Sequence, residues 1–261
     1  RWDLDFGIGD PTYRILPDAL YRSSLAPTKP FVPNPDARFS GTLEVDGETV
    51  RLEGAPGQQG HLHGERHAER WAWVHASGFE GADGVVLEGL SAQGRRGPLR
   101  TPHTTFVGLR WGGEWLRFGR ASRRRGWDLG RWRIDLASRS HHLFGTVTAG
   151  AGTLVRARYE DPDGTERFCH NSTVASVHLT LLEKTTGGYE ELANLVADGT
   201  AQAEWAGRTP APAATAVHQP IDEPEPATPV GGGSDRRRRS GRSRPRARYP
   251  PEPPGGDATH R

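Results

Sequence analysis

Within residues 57–79, GQQGHLHGERHAERWAWVHASGF, the chain gathers four of its eleven histidines, two of its eight tryptophans and two carboxylates. His61 and His63 stand two apart, so on a strand they share a face, and His67 follows four residues later. Three imidazoles would suit zinc, copper or non-haem iron. Glu65 and Glu69 stand two and six residues after His63, spacings that do not complete a His/His/Glu ligand set, so no metal and no other cofactor is expected. The only cysteine, Cys169, lies in Cys169-His170-Asn171. Neighbours on a strand face apart, which separates a nucleophile from its base, so a buried structural thiol is expected there.

The second half of 57–79 reads as a strand. Trp71, Trp73, His75 and Ser77 then share one face, and Arg70, Ala72, Val74 and Ala76 the other. Glycines at 57, 60 and 64 loosen the first half. The expectation is a loop bearing titratable groups that runs into an aromatic strand, so that Trp71 and Trp73 line an apolar hollow and the histidine loop guards its mouth.

Composition limits what can surround this stretch. Hydrophobic residues make up 34% of the 261, and mean hydropathy is −0.70. Residues 207–261 hold ten arginines against six acids, so the net charge of +2 belongs to this tail and the body carries no nucleic-acid-like excess. The tail lacks apolar periodicity and is expected to be disordered, with weak contact to nucleic acid or an acidic surface as its possible role. A single cysteine fits a reducing, cytoplasmic setting, and no apolar run reaches the length of a membrane helix. The chain has no methionine and begins Arg-Trp-Asp, from which a missing native start is expected and a signal peptide stays open.

The elements that must position the stretch read as strands. Residues 1–36, broken by six prolines, read as a short strand at Trp2–Phe6 and an extended surface segment. Asp46-Gly47 and Gly112-Gly113 mark two tight hairpins, and Asp161-Pro162-Asp163-Gly164 a turn. Val174–Leu182 is the strongest strand pattern, and Asp198-Gly199 is read as closing a last hairpin into Thr200–Ala206. No amphipathic helix is evident. Many short strands with Gly, Asp and Pro turns indicate an all-β antiparallel barrel or sandwich. Trp-Asp-Leu occurs at 2–4 and again at 127–129, a weak hint of two related halves.

Gly57, Gly60, His61, Gly64, Trp71, Trp73, His75 and Phe79 together resemble the lipocalin-like superfamily of tocopherol cyclase, hydroxyneurosporene synthase and AttH-like proteins. The nearest likeness is to uncharacterised actinobacterial members. YEDPDGTERFCHNSTVASVHL at 159–179 and AEWAGRTP at 203–210 carry the likeness further along the chain. The resemblance implies tandem lipocalin-like β-barrels: the remainder of a first in 1–80, a second in 81–206, and the tail from 207. The position after the first glycine-rich turn, often aromatic in this superfamily, is Leu62-His63 here, a departure from the pattern of its enzymes.

The enzymes of this superfamily protonate a carbon–carbon double bond, and a phenol or water captures the cation. That chemistry requires an acid held protonated by an apolar setting and aromatic faces that steady positive charge. The resemblance therefore points to Glu65, Glu69 and His67 as catalytic, and to His61, Trp71, Trp73, His75 and Phe79 as ligand-binding. The function expected is binding of an apolar, isoprenoid or lipid-like molecule, with hydration or cyclisation of a double bond open. The alternatives are a carrier without chemistry, or a barrel scaffold for a nucleic-acid-binding tail.

Overall fold

The computed structural model describes residues 1–7, 11–124, 126–211 and 216–217. Its strands in chain order begin with β1 (Trp2–Phe6), β2 (Tyr13–Arg14), β3 (Thr28–Val45), β4 (Glu48–Gly64), β5 (Arg70–Ala76) and β6 (Val86–Gln93). Next come β7 (Arg95–Arg96), β8 (Leu99–Arg100), β9 (His103–Trp111), β10 (Glu114–Ser122), β11 (Trp127–Asp128) and β12 (Arg131–Ala137). The last are β13 (His141–Thr148), β14 (Val155–Glu160), β15 (Glu166–Thr185), β16 (Gly188–Gly207) and β17 (Ala216–Val217). Among the described residues one four-residue α-helix, Asp18–Tyr21, and one 3-10 turn complete the list of elements.

The fold is all-β and almost wholly antiparallel. A large sheet runs β10-β9-β6-β5-β16-β15-β13-β12-β11, with β14 beside β15 and a short parallel β17 beside β14. A smaller sheet has β3 at its centre, bordered by β1, β2 and β4. β7 and β8 form a separate ribbon. The large sheet curls until β10 approaches β12. Inside the curl lie Leu87, Leu109, Trp132, Ile134, Leu143, Leu181, Leu195 and Trp205, all essentially without solvent exposure. Gly89 lets this interior close, because a Cβ there would stand 2.8 Å from Val74 and 3.2 Å from the Trp132 ring.

Both hairpin turns fold as their residues dictate: Asp46 and Gly47, and Gly112 and Gly113, all take positive φ. Three expectations are revised. Residues 57–64 are strand and not loop, since β4 pairs with β3 through Gly64. Phe39 covers Gly57, where a Cβ would meet its ring at 2.7 Å, so the glycine serves a close ring approach. The proline-rich segment through residue 36 enters β3, and the ladder shifts register between Phe31 and Asn34 and between Asn34 and Ala37, beside Pro33 and Pro35, which have no N–H to donate. Asp198-Gly199 is a bulge inside the 20-residue β16, where Gly199 has φ +66° and the register against β15 slips.

The opening of the tail is held: Arg208 reaches Glu69 and the Ala211 N–H donates to His170 Nε2. Residues 212–215 and 218–261, expected as disordered, lie outside the described residues. No helix among the described residues is long and apolar enough to cross a membrane.

Candidate functional site

Strand alternation puts Ala72, Val74 and Ala76 into the filled interior and turns Trp71, Trp73 and His75 to the opposite face of β5. The tryptophan pair therefore does not line the inside of the barrel. It lines the sheet's other face, where Trp71 is buried and Trp73 half-buried. Pairing registers assemble the rest of this face. Glu204 stands opposite Trp73 and Ala206 opposite Trp71. Cys169 stands opposite Ala206 and Asn171 opposite Glu204. Glu88 pairs with His75 and Leu90 with Trp73.

Glu204 is the chemical centre of this face. The Trp71 indole N–H donates to its Oε2 at 3.1 Å. Loss of hydration raises the Glu204 carboxyl above the ordinary glutamate range, and this outweighs the opposing effects of Trp71 and Cys169. Burial likewise pushes the Cys169 thiol far up, with Glu204 nearby adding to the effect, so the sulfur stays protonated as the structural thiol expected. The Tyr159 phenol is raised for the same reason, first by burial and then by Cys169 and Glu204.

Three rings flank the carboxyl. His67 stacks on Trp71 at 5.5 Å and on Tyr159 at 5.3 Å, and the Trp71 and Tyr159 planes are 3° apart. Asp161 fixes His67 twice: its Oδ1 lies 2.7 Å from Nδ1 and accepts the His67 backbone N–H at 2.9 Å. Further along the face His75 Nδ1 lies 2.8 Å from Glu88 Oε1, with both side chains at most 3% exposed. Tyr13 from the smaller sheet stacks on Trp115 at 3.8 Å, and a Cβ on Gly108 would stand 2.0 Å from its hydroxyl.

The other expected residues are dispersed. Glu69 is buried, but Arg208 grips it with two contacts at 2.8 Å and Arg167 adds a third at 3.4 Å. Burial alone would raise its pKa; the Arg208 hydrogen bonding and the charges of Arg208, Arg167 and Arg95 prevail and hold the carboxyl below its usual range. An acid so held is an anion, so Glu69 does not meet the requirement for a proton donor. Glu65 is exposed at the end of β4. His61 is exposed on β4, beside Phe31 at 4.8 Å. Phe79 is buried in the barrel interior, on the other side of the sheet from Trp71.

The segments that converge on Trp71 are those at 159–179 and 203–210: they supply Tyr159, Asp161, Cys169 and Glu204. The model of the tocopherol cyclase-like family matches residues 32–207, which takes in all of these residues. The chain belongs to the tocopherol cyclase-like family. An uncharacterised protein of Mycobacterium tuberculosis is 29% identical over 184 residues, covering 69% of this chain and 55% of that one. The chloroplastic tocopherol cyclase of Zea mays is 26% identical over 157 residues, covering 57% of this chain and 32% of the enzyme. The chain thus spans about half the length of the mycobacterial relative and a third of the maize one. A crystal structure of kievitone hydratase from Nectria haematococca aligns with a TM-score of 0.40 and 14% identity, covering 70% of this chain and 53% of that one.

Besides Tyr159 and Asp161, sequence reasoning passed over Glu204. It stands in AEWAGRTP, a motif read only as a mark of resemblance. The available signal was its alternation: Glu204 is the polar member between Ala203 and Trp205 in a strand, which leaves a carboxylate on the face opposite a core tryptophan.

Proposed function

We propose that this chain binds an apolar, isoprenoid- or lipid-like molecule against the face of Trp71, Trp73 and Tyr159, and that Glu204 protonates a double bond of that molecule. What supports this reading is one observation: a carboxyl raised by burial accepts the Trp71 indole N–H, at the edge of the Trp71–His67–Tyr159 stack. Family membership favours hydratase- or cyclase-like chemistry over other acid chemistry.

In this mechanism the Glu204 O–H proton passes to one alkene carbon, and the π pair forms the new C–H bond. The adjacent carbon becomes a cation, steadied by the Trp73 and Tyr159 faces. A phenol of the same molecule, or water, supplies the oxygen lone pair and then loses a proton, which restores the acid. Trp71 holds the carboxyl in place, and His67, fixed by Asp161, holds Trp71 and Tyr159 by stacking. The filled barrel interior plays no part in binding. The smaller sheet is read as part of a first barrel, set against the second at Leu90, Phe106 and Trp115.

The test separates binding from turnover in Glu204→Gln. Loss of turnover of an isoprenoid phenol or alkene, with ligand affinity retained within about threefold, supports the acid role. Binding without turnover in the wild type makes the protein a carrier, and unchanged turnover in the variant removes Glu204 from the mechanism.

A further inference from the structure

One end of the large sheet carries a second kind of surface. The pairings Arg70 with Gln93, Ala92 with Thr104, His103 with Ser122, and Trp71 with Ala206 bring the start of β5, the end of β6, the start of β9 and the ends of β10 and β16 to the same end. The β7–β8 ribbon and the β11–β12 turn project there. Each exposes a leucine at its tip: Leu99 is 73% exposed and Leu129 is 42% exposed. Both are flanked by exposed arginines, Arg100 beside Leu99 and Arg131 beyond Leu129.

Two cavities of about 510 and 450 Å³ lie at this end; Trp127 lines both, and Leu129 lines the first. The first is lined by Trp127, Leu129 and Trp205 and by Arg70, Arg100 and Arg208. The second adds Arg120, Arg124, Arg131 and Arg133. In all, seven arginines and three carboxylates line the two cavities. Of the carboxylates, Glu69 is held by Arg208, and Asp135 lies 2.9 Å from His142.

We propose that this end of the barrel docks on an anionic lipid bilayer, with Leu99 and Leu129 entering the acyl boundary and the surrounding arginines meeting the lipid phosphates. Protruding aliphatic side chains set among cations suit a bilayer, which offers apolar depth beneath negative charge. A nucleic acid offers the phosphates but nothing for the leucines to enter. None of the residues on which the surface is argued belongs to the Arg-rich segment at 236–248, and the proposal stands whether or not Glu204 acts as an acid.

The experiment is co-sedimentation of the full chain with vesicles of phosphatidylcholine alone and of phosphatidylcholine with phosphatidylserine. Three variants are compared: Leu99→Asp with Leu129→Asp, Arg100→Glu with Arg131→Glu, and one with the arginines of 236–248 changed to serine. The four barrel-end positions are exposed, so the thermal midpoint checks that folding is kept. Wild type is expected to bind the phosphatidylserine vesicles, and each barrel-end pair to lower the partition constant by about tenfold or more, since each interfacial arginine is worth roughly fivefold. The serine variant is expected to retain most of the binding. Binding lost only in the serine variant, no vesicle binding at all, or retention of a soluble inositol phosphate without vesicle binding would each overturn the proposal.

Discussion

Trp71 donates its indole N–H to Glu204 across 3.1 Å, although 133 residues separate them in the chain. The contact exists because β5 and β16 are neighbours in the large sheet and both side chains leave it on the face away from the core. It joins the strand that is conspicuous in the sequence to a carboxyl that is not.

The Glu69 clamp is a stability element, and its sign with pH is fixed by its lowered pKa. The clamp contributes fully above the unfolded glutamate value of about 4.3 and is lost as pH falls through the lower folded value. Glu69→Gln is expected to cost about 2–4 kcal/mol at neutral pH, because Arg167 is left buried with one partner fewer, and to flatten the acid limb of stability. Denaturant unfolding from neutral to acid pH measures both. An unchanged acid limb would assign acid lability to other groups.

His75 and Glu88 should behave as a buried pair. His75→Leu or Glu88→Leu alone leaves the other polar group without its 2.8 Å partner and is expected to cost roughly 3 kcal/mol. The double replacement is expected to cost clearly less than the sum of the two. A double-mutant cycle in urea gives the coupling, and additive losses would show that the pair contributes only through packing.

Gly108 sets how closely the smaller sheet approaches. In Gly108→Ala the new methyl would fall 2.0 Å from the Tyr13 hydroxyl, so Tyr13 must leave its stack on Trp115. The expected loss is about 1–3 kcal/mol, with a change in near-ultraviolet circular dichroism from the displaced rings. Wild-type stability in this variant would show that Tyr13 has room to move.

Period-two alternation made the all-β class and both glycine hairpins legible, because it is local. It also gave the sharing of one face by Trp71, Trp73 and His75. It could not say which face was the interior: the bulky Trp71 and Trp73 were expected to line it, yet the small Ala72, Val74 and Ala76 face the packed Trp132 and Trp205 side of the sheet. The glycine-rich run at 57–64 misled because glycine is both a loop residue and the only residue that lets Phe39 lie across a strand. Glu65 and Glu69 drew attention by their nearness in sequence to the histidines. The carboxyl with the required environment arrives on β16, and nothing local marks a partner set by sheet order.

The central claim is that burial raises the Glu204 carboxyl above the ordinary glutamate range, and a direct measurement is its side-chain titration. Carboxyl-carbon NMR of labelled protein, with the resonance assigned by its absence in Glu204→Gln, follows that one group with pH. The account predicts a midpoint well above the ordinary glutamate value of about 4.3. It also predicts that the variant is more stable than wild type at neutral pH, because a raised carboxyl weakens the fold as pH climbs past its unfolded value. A Glu204 midpoint at or below the ordinary value would contradict the account.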